Sequence, residues 1–194
     1  MGIRILVIPG ATRTDAFSKK LARAASKLVE QAGSVPTLID LRDYAMPLYD
    51  GDLETKEGLP EGTVRLRGVM KQHDALLFAT PEYNSSIPAV LKNTIDWLSR
   101  PYAAERGVSV FDNKVAALLS SSPGALGGLR GLVHLRQILM NLGVLVITEQ
   151  FALGSAGSAF SPDGSLVDAK QSATVQKIAQ RLAHVATRLA PEVR

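Results

Sequence analysis

The sequence predicts an open, doubly wound α/β domain: a five-stranded parallel sheet with helices on both faces. Three observations predict it. Short, nearly uncharged apolar runs recur along the chain, as in strands buried on both sides of a parallel sheet. Segments with helical spacing separate them, so strand and helix alternate five times, which implies right-handed crossovers. The 194 residues, 46% of them hydrophobic, suit one domain over 1–194 with a full core.

Ile3–Ile8 is the first strand, β-branched and almost free of charge. A polar loop, Gly10–Ser18, hands over to a helix from Phe17 to Gln31, with Leu21, Ala24, Ala25 and Leu28 on its apolar face and Gly33 as its stop. Val35–Leu41 reads as the second strand. Tyr44–Gly62 has no steady period, and a loop of that length inside a compact domain is usually functional or mobile. Thr63–Gln72 reads as a helix and Ala75–Ala79 as the third strand. Pro88 then opens a helix to Arg100 with Val90, Leu91, Ile95 and Leu98 at apolar positions, and Ser85 or Ser86 is placed to cap it. Pro101–Asn113 is irregular, Lys114–Ser120 is the fourth strand, and a helix from Gly127 to Asn141 is stopped at Gly143. Val144–Thr148 is the fifth strand. A small-residue loop, Gly154–Gly164, leads to a last helix from about Asp168 to Leu189.

Several function classes are excluded. With no cysteine there is no thiol catalysis, iron–sulfur ligation or disulfide framework, which fits a reducing compartment. No apolar run approaches the roughly 20 residues needed to span a bilayer, and the first residues do not resemble a signal peptide, so no membrane association and a cytoplasmic location are expected. The net charge of +4 suits anionic ligands, but the basic residues do not cluster and no nucleic acid is expected as a partner. His73, His134 and His184 stand on different helices and form no metal pair, so no metal is expected. No serine stands in Gly-x-Ser-x-Gly, which removes the α/β-hydrolase nucleophile.

Five strands favour the order 2-1-3-4-5, called flavodoxin-like, in which ligands bind where strands one and three flank the switch point. Three loops converge there. Gly10–Ser18 precedes a helix N-terminus, whose free N–H groups and dipole favour an anion; Thr12, Thr14 and Ser18 add hydroxyls and Arg13 a guanidinium. It matches neither a P-loop nor Gly-x-Gly-x-x-Gly, and taken alone the loop favours a plain strand-to-helix turn capped by Thr14 or Asp15. The second loop, Pro81-Glu82-Tyr83-Asn84-Ser85-Ser86, offers a flat ring with donors and acceptors around it. That mixture suits an isoalloxazine, although a Tyr83 packed on the surface and an Asn84 shaping a turn would have the same composition. The third, Ser120–Gly128, is rich in serine and in glycines that allow close backbone approach.

Pro81-Glu82-Tyr83-Asn84-x-Ser86-Ile87-Pro88, running into Leu91-Lys92-Asn93-x-Ile95-Asp96-Trp97, resembles the signature of the NAD(P)H-dependent FMN reductase family, which includes quinone, azo-dye and chromate reductases. The resemblance extends to Gly10-x-x-Arg13 with Phe17, the Ser-Pro-Gly loop before Gly127-Gly128, Leu135-Arg136-Gln137 and Pro162-Asp163-Gly164. It implies FMN and NADPH or NADH as cofactors, hydride transfer to the flavin, and electrons passed to free flavin, a quinone, an azo compound or a metal oxyanion as small-molecule acceptor. It implies that Thr12, Arg13 and Ser18 hold the FMN phosphate. Pro81, Glu82, Tyr83 and Asn84 would contact the isoalloxazine, chiefly through backbone, and Ser121, Ser122 and Gly124 would close its other side. It implies a homodimer or homotetramer with the Pro88–Arg100 helix at a subunit contact.

No residue is assigned a catalytic role, because hydride transfer needs no acid or base from the protein. The family has serine where this chain has Ala11 and Ala16, and asparagine where it has Ser18. Two lost hydroxyls predict FMN binding weakened by about tenfold or more, unless Thr12 and Thr14 compensate. The competing readings are a flavodoxin-like electron carrier, which the positive net charge disfavours, and a non-catalytic homologue with weakened flavin binding.

Overall fold

The computed structural model describes residues 2–189. Five strands, β1 (Arg4–Pro9), β2 (Val35–Leu38), β3 (Ala75–Thr80), β4 (Val115–Ser121) and β5 (Leu145–Leu153), form a parallel sheet in the order β2-β1-β3-β4-β5. The register pairs Pro9 with Ala79 and Thr80 with Ser120, so the carboxyl ends of β1, β3 and β4 finish level. Their loops therefore open on one edge.

Alternation along each central strand divides the core in two. Ile5, Val7, Leu77 and Leu119 face α1 (Phe17–Gln31) and α6 (Ala169–Leu189), where Leu21, Val29, Val175 and Leu182 are buried. Leu6, Ile8, Leu76 and Leu118 face the other way, against Leu66 and Met70 of α3 (Glu61–Lys71), Leu91 and Ile95 of α4 (Ala89–Leu98), and Leu132 and Leu139 of α5 (Leu129–Asn141).

The structure departs from the expected elements where local chemistry overrides periodicity. β2 ends at Leu38 rather than Leu41, because Asp40 caps a 3₁₀ turn over Leu41–Tyr44 by accepting the Arg42 N–H at 3.0 Å. The aperiodic Tyr44–Gly62 stretch contains α2 (Gly51–Glu57), which buries no residue and is started by Asp50, whose carboxylate accepts from Asp52 N at 2.8 Å. β5 runs on past Thr148 to Leu153, with a register shift against β4 between Ala116 and Leu118 that absorbs its polar middle. The irregular Pro101–Asn113 stretch includes a 3₁₀ turn at Gly107–Phe111, held by buried Arg67, which donates to the carbonyls of Leu98, Arg100 and Gly107. Neither Ser85 nor Ser86 caps α4: its N-cap is Pro88, with no side-chain bond to the first turn.

Candidate functional site

The loop after β1 is pressed against the end of β3. Gly10 donates its N–H to the Ala79 carbonyl at 2.9 Å, and a Cβ at Gly10 would lie 2.5 Å from Thr80 Oγ1. Beyond it, the backbone N–H groups of Thr12 to Asp15 find no acceptor among the described residues. Ala16 is the N-cap of α1 and makes no side-chain bond, so neither Thr14 nor Asp15 caps the helix as a plain turn would require. In the first turn, Ser18 is 0% exposed and its Oγ has no partner, a buried hydroxyl awaiting an acceptor or donor. Arg13 is exposed, with one guanidinium nitrogen 3.1 Å from the Asp15 carbonyl. Ala11 and Ala16 are both buried.

The loop after β3 is a tight turn. Tyr83 N donates to Ser86 O at 2.9 Å and Ser86 N returns the bond to Tyr83 O at 3.0 Å, while Asn84 (φ +51°) and Ser85 (φ +66°) both lie in the left-handed region. Positive φ at both central positions makes it a type I′ turn. The turn lifts Tyr83 into solvent, 54% exposed. Glu82 is not a solvated carboxylate. It accepts from Arg130 N at 3.0 Å, Arg130 Nε at 2.7 Å and Gly131 N at 3.3 Å, where α5 begins. Burial raises the Glu82 pKa, but the Arg130 guanidinium and the α5 N–H groups outweigh it and hold the carboxyl below its ordinary range. At the other end of the turn, Ser86 Oγ lies 2.9 Å from His134 Nδ1. The turn is thus fastened to α5 twice.

The loop after β4 completes the edge. Ser120 and Ser121 are buried with unpartnered Oγ atoms. Ser122 Oγ accepts from Gly124 N at 3.1 Å, and Ser122 N donates to Leu153 O at 3.0 Å. Ser122 and Gly124 therefore bond to each other and to the end of β5, not to the Tyr83 turn. Gly128, at φ +88°, is where the loops meet: a Cβ there would lie 3.0 Å from Ser120 Cβ and 3.5 Å from Glu82 Cβ.

Two groups of contacts to these loops are not apparent from local sequence. Arg130, Gly131 and His134 reach the second loop from a helix some 48 residues on. Arg42, just past β2, places its Nη1 3.2 Å from Thr14 Oγ1, and Lys19 Nζ donates to Thr12 O at 3.2 Å. The one available signal for Arg42 was topological, since β2 lies beside β1 in the predicted strand order.

The donor set fits a phosphorylated planar ring. Unpaired N–H groups, a buried orphan hydroxyl and cations surround the first loop, while an exposed aromatic ring and glycine-lined backbone stand at the second and third. Among the described residues no three His, Asp or Glu side chains gather as a metal site, and no helix is long and apolar enough to cross a membrane.

Comparison with known proteins places the chain by sequence and by fold. Residues 3–158 match the family model described as NADPH-dependent FMN reductase. An NAD(P)H-dependent FMN reductase of Pseudomonas aeruginosa is 38% identical over 182 residues, covering 93% of each chain. A quinone reductase of Pseudomonas putida is 37% identical over 166 residues, covering 84% of each. Among solved structures, the flavoenzyme NAD(P)H:(acceptor) oxidoreductase FerB of Paracoccus denitrificans superposes with a TM-score of 0.82 at 29% identity, over 96% of this chain and 98% of that one.

Proposed function

The chain belongs to the NADPH-dependent FMN reductase family, and from that premise we propose that it is an FMN-dependent NAD(P)H oxidoreductase with a quinone as electron acceptor. Free flavin, azo compounds and metal oxyanions are the further acceptors to rank against it. FMN held in this site would supply the redox chemistry, which is hydride acceptance from NAD(P)H and electron transfer to the acceptor. The protein holds, orients and partly covers the flavin.

Thr12, Arg13, Ser18 and the free N–H groups between Thr12 and Asp15 bind the phosphate. The backbone of Pro81, Glu82, Tyr83 and Asn84 would meet the isoalloxazine, with the Tyr83 ring against it, and Ser121, Ser122 and Gly124 would close its other side. The observation that carries this reading is the first loop: four successive N–H groups without acceptors lead into a helix with no side-chain cap. The domain is one unit over 1–194, and its form is a cytoplasmic homodimer or homotetramer.

The test is anaerobic stopped-flow reduction of FMN-loaded protein by NADPH and NADH, followed by mixing with a quinone and the other acceptors. Bleaching of the flavin band, then its rapid return with quinone, is the expected result. A band that persists with both nicotinamides would replace the enzyme by an electron carrier.

A further inference from the structure

Asp40 stands just past β2, outside the three loops that make up the site. Its Oδ2 accepts from Lys19 Nζ at 2.7 Å and from Arg42 Nη2 at 2.8 Å. Each of those cations also grips the loop after β1: Lys19 through the Thr12 carbonyl at 3.2 Å, Arg42 through Thr14 Oγ1 at 3.2 Å. One carboxylate therefore holds two cations, and the two cations hold the loop at positions two residues apart. The Lys19 side chain is only 4% exposed, so its charge is committed to this arrangement, whereas that of Arg42 is half exposed.

We propose that Lys19, Asp40 and Arg42 form a bracket that presets the loop after β1 for the phosphate group of its ligand, with Arg42 as a positioning residue acting through Thr14. The inference rests on the assignment of the FMN phosphate to that loop. An unbraced loop would have to be ordered on binding, at a cost in affinity; the bracket removes that cost beforehand. It also offers a physical replacement for the two serines whose places are taken by Ala11 and Ala16, since shape fixed by side chains from α1 and from the segment after β2 substitutes for hydroxyls supplied within the loop.

The test is equilibrium titration of apoprotein with FMN and with riboflavin, which lacks the phosphate, followed by flavin fluorescence. Arg42→Gln and Thr14→Val should each weaken FMN about tenfold, the worth of one charge-assisted bond, and leave riboflavin within about twofold. The double variant should be no weaker than either single one, because both remove the same strut. Additive losses would mean that the two side chains touch the ligand independently, and would overturn the bracket. So would unchanged FMN binding, or riboflavin falling in parallel.

Asp40→Asn separates shape from charge: simple attraction predicts tighter FMN once a negative charge is gone, whereas the bracket predicts weaker. If unmodified protein bound FMN no better than riboflavin, the phosphate assignment itself would fail. That outcome is distinct from failure of the bracket, in which the unmodified protein still discriminates.

Discussion

Glu82 and Arg130 join the turn after β3 to the first turn of α5 by two bonds, one from the Arg130 backbone N–H at 3.0 Å and one from its guanidinium at 2.7 Å. The carboxylate occupies the positive end of the helix and serves as its anchor to the loop. Glu82→Gln keeps the shape and removes the charge. It should lower stability by about 1.5–3 kcal/mol, read by urea denaturation, and weaken FMN and riboflavin alike. An effect on FMN alone would show that Glu82 acts on the phosphate instead.

Arg13 and Tyr83 should separate the two halves of the ligand. Arg13→Ala is expected to weaken FMN about tenfold with riboflavin scarcely moved, since a guanidinium recognises the phosphate. Tyr83→Ala should weaken both by about three- to tenfold, the range for loss of one aromatic contact. Because both side chains are exposed, neither change should shift the melting temperature by more than a degree or two.

Two glycines test the packing of the loops. Gly127 has φ +63°, and a Cβ there would sit 2.7 Å from backbone atoms of Ala152, Leu153 and Gly154. Gly143 has φ +83° with nothing within 4 Å. Gly143→Ala should therefore cost about 1 kcal/mol of backbone strain, and Gly127→Ala about 3 kcal/mol or more, since backbone cannot move aside as a side chain can. Equal losses in a denaturation series would show that the β4 and β5 loops are not interlocked.

Acid should find the bracket. Burial opposes ionisation of Asp40, but Arg42 and Lys19 outweigh it and hold its carboxyl well below the usual carboxylate range. In the unfolded chain an Asp titrates near pH 3.9, so on acidification the unfolded state takes up the proton first. The contribution of Asp40 is thus full above about pH 5 and is lost progressively as the pH falls below about 4. Melting temperature followed by circular dichroism should drop through this window, and drop less steeply for Asp40→Asn. Parallel curves for the two proteins would refute the contribution.

How far the sequence reveals this fold depends on the range of the interactions involved. The central strands were legible because burial on both faces leaves continuous apolar runs. β5 was cut short at Thr148 because Glu149 and Gln150 interrupt the pattern, and a register shift lets the strand continue through them. α2 escaped notice because it has no buried face to imprint a period; a cap at Asp50 and the ion pair from Glu54 to Arg100 account for it.

The site divides in the same way. Loop positions follow from strand order, and within those loops the family resemblance implies Thr12, Arg13, Ser18, Pro81 to Asn84, Ser121, Ser122 and Gly124. Arg42, Arg130 and His134 could not be named in advance, because each acts across a gap that only the folded chain closes. The anchoring of the Glu82 carboxylate belongs with them, because the helix whose N–H groups it meets comes much later in the sequence.

The double fastening of the Tyr83 turn has a mechanical consequence. Glu82 at one end and Ser86 at the other make the turn a rigid extension of α5 rather than a free flap of the sheet. Any tilt or slide of that helix carries Tyr83 with it. The outward side of α5 bears exposed Leu129, Val133 and Met140, so the helix that carries the turn also presents apolar side chains to solvent.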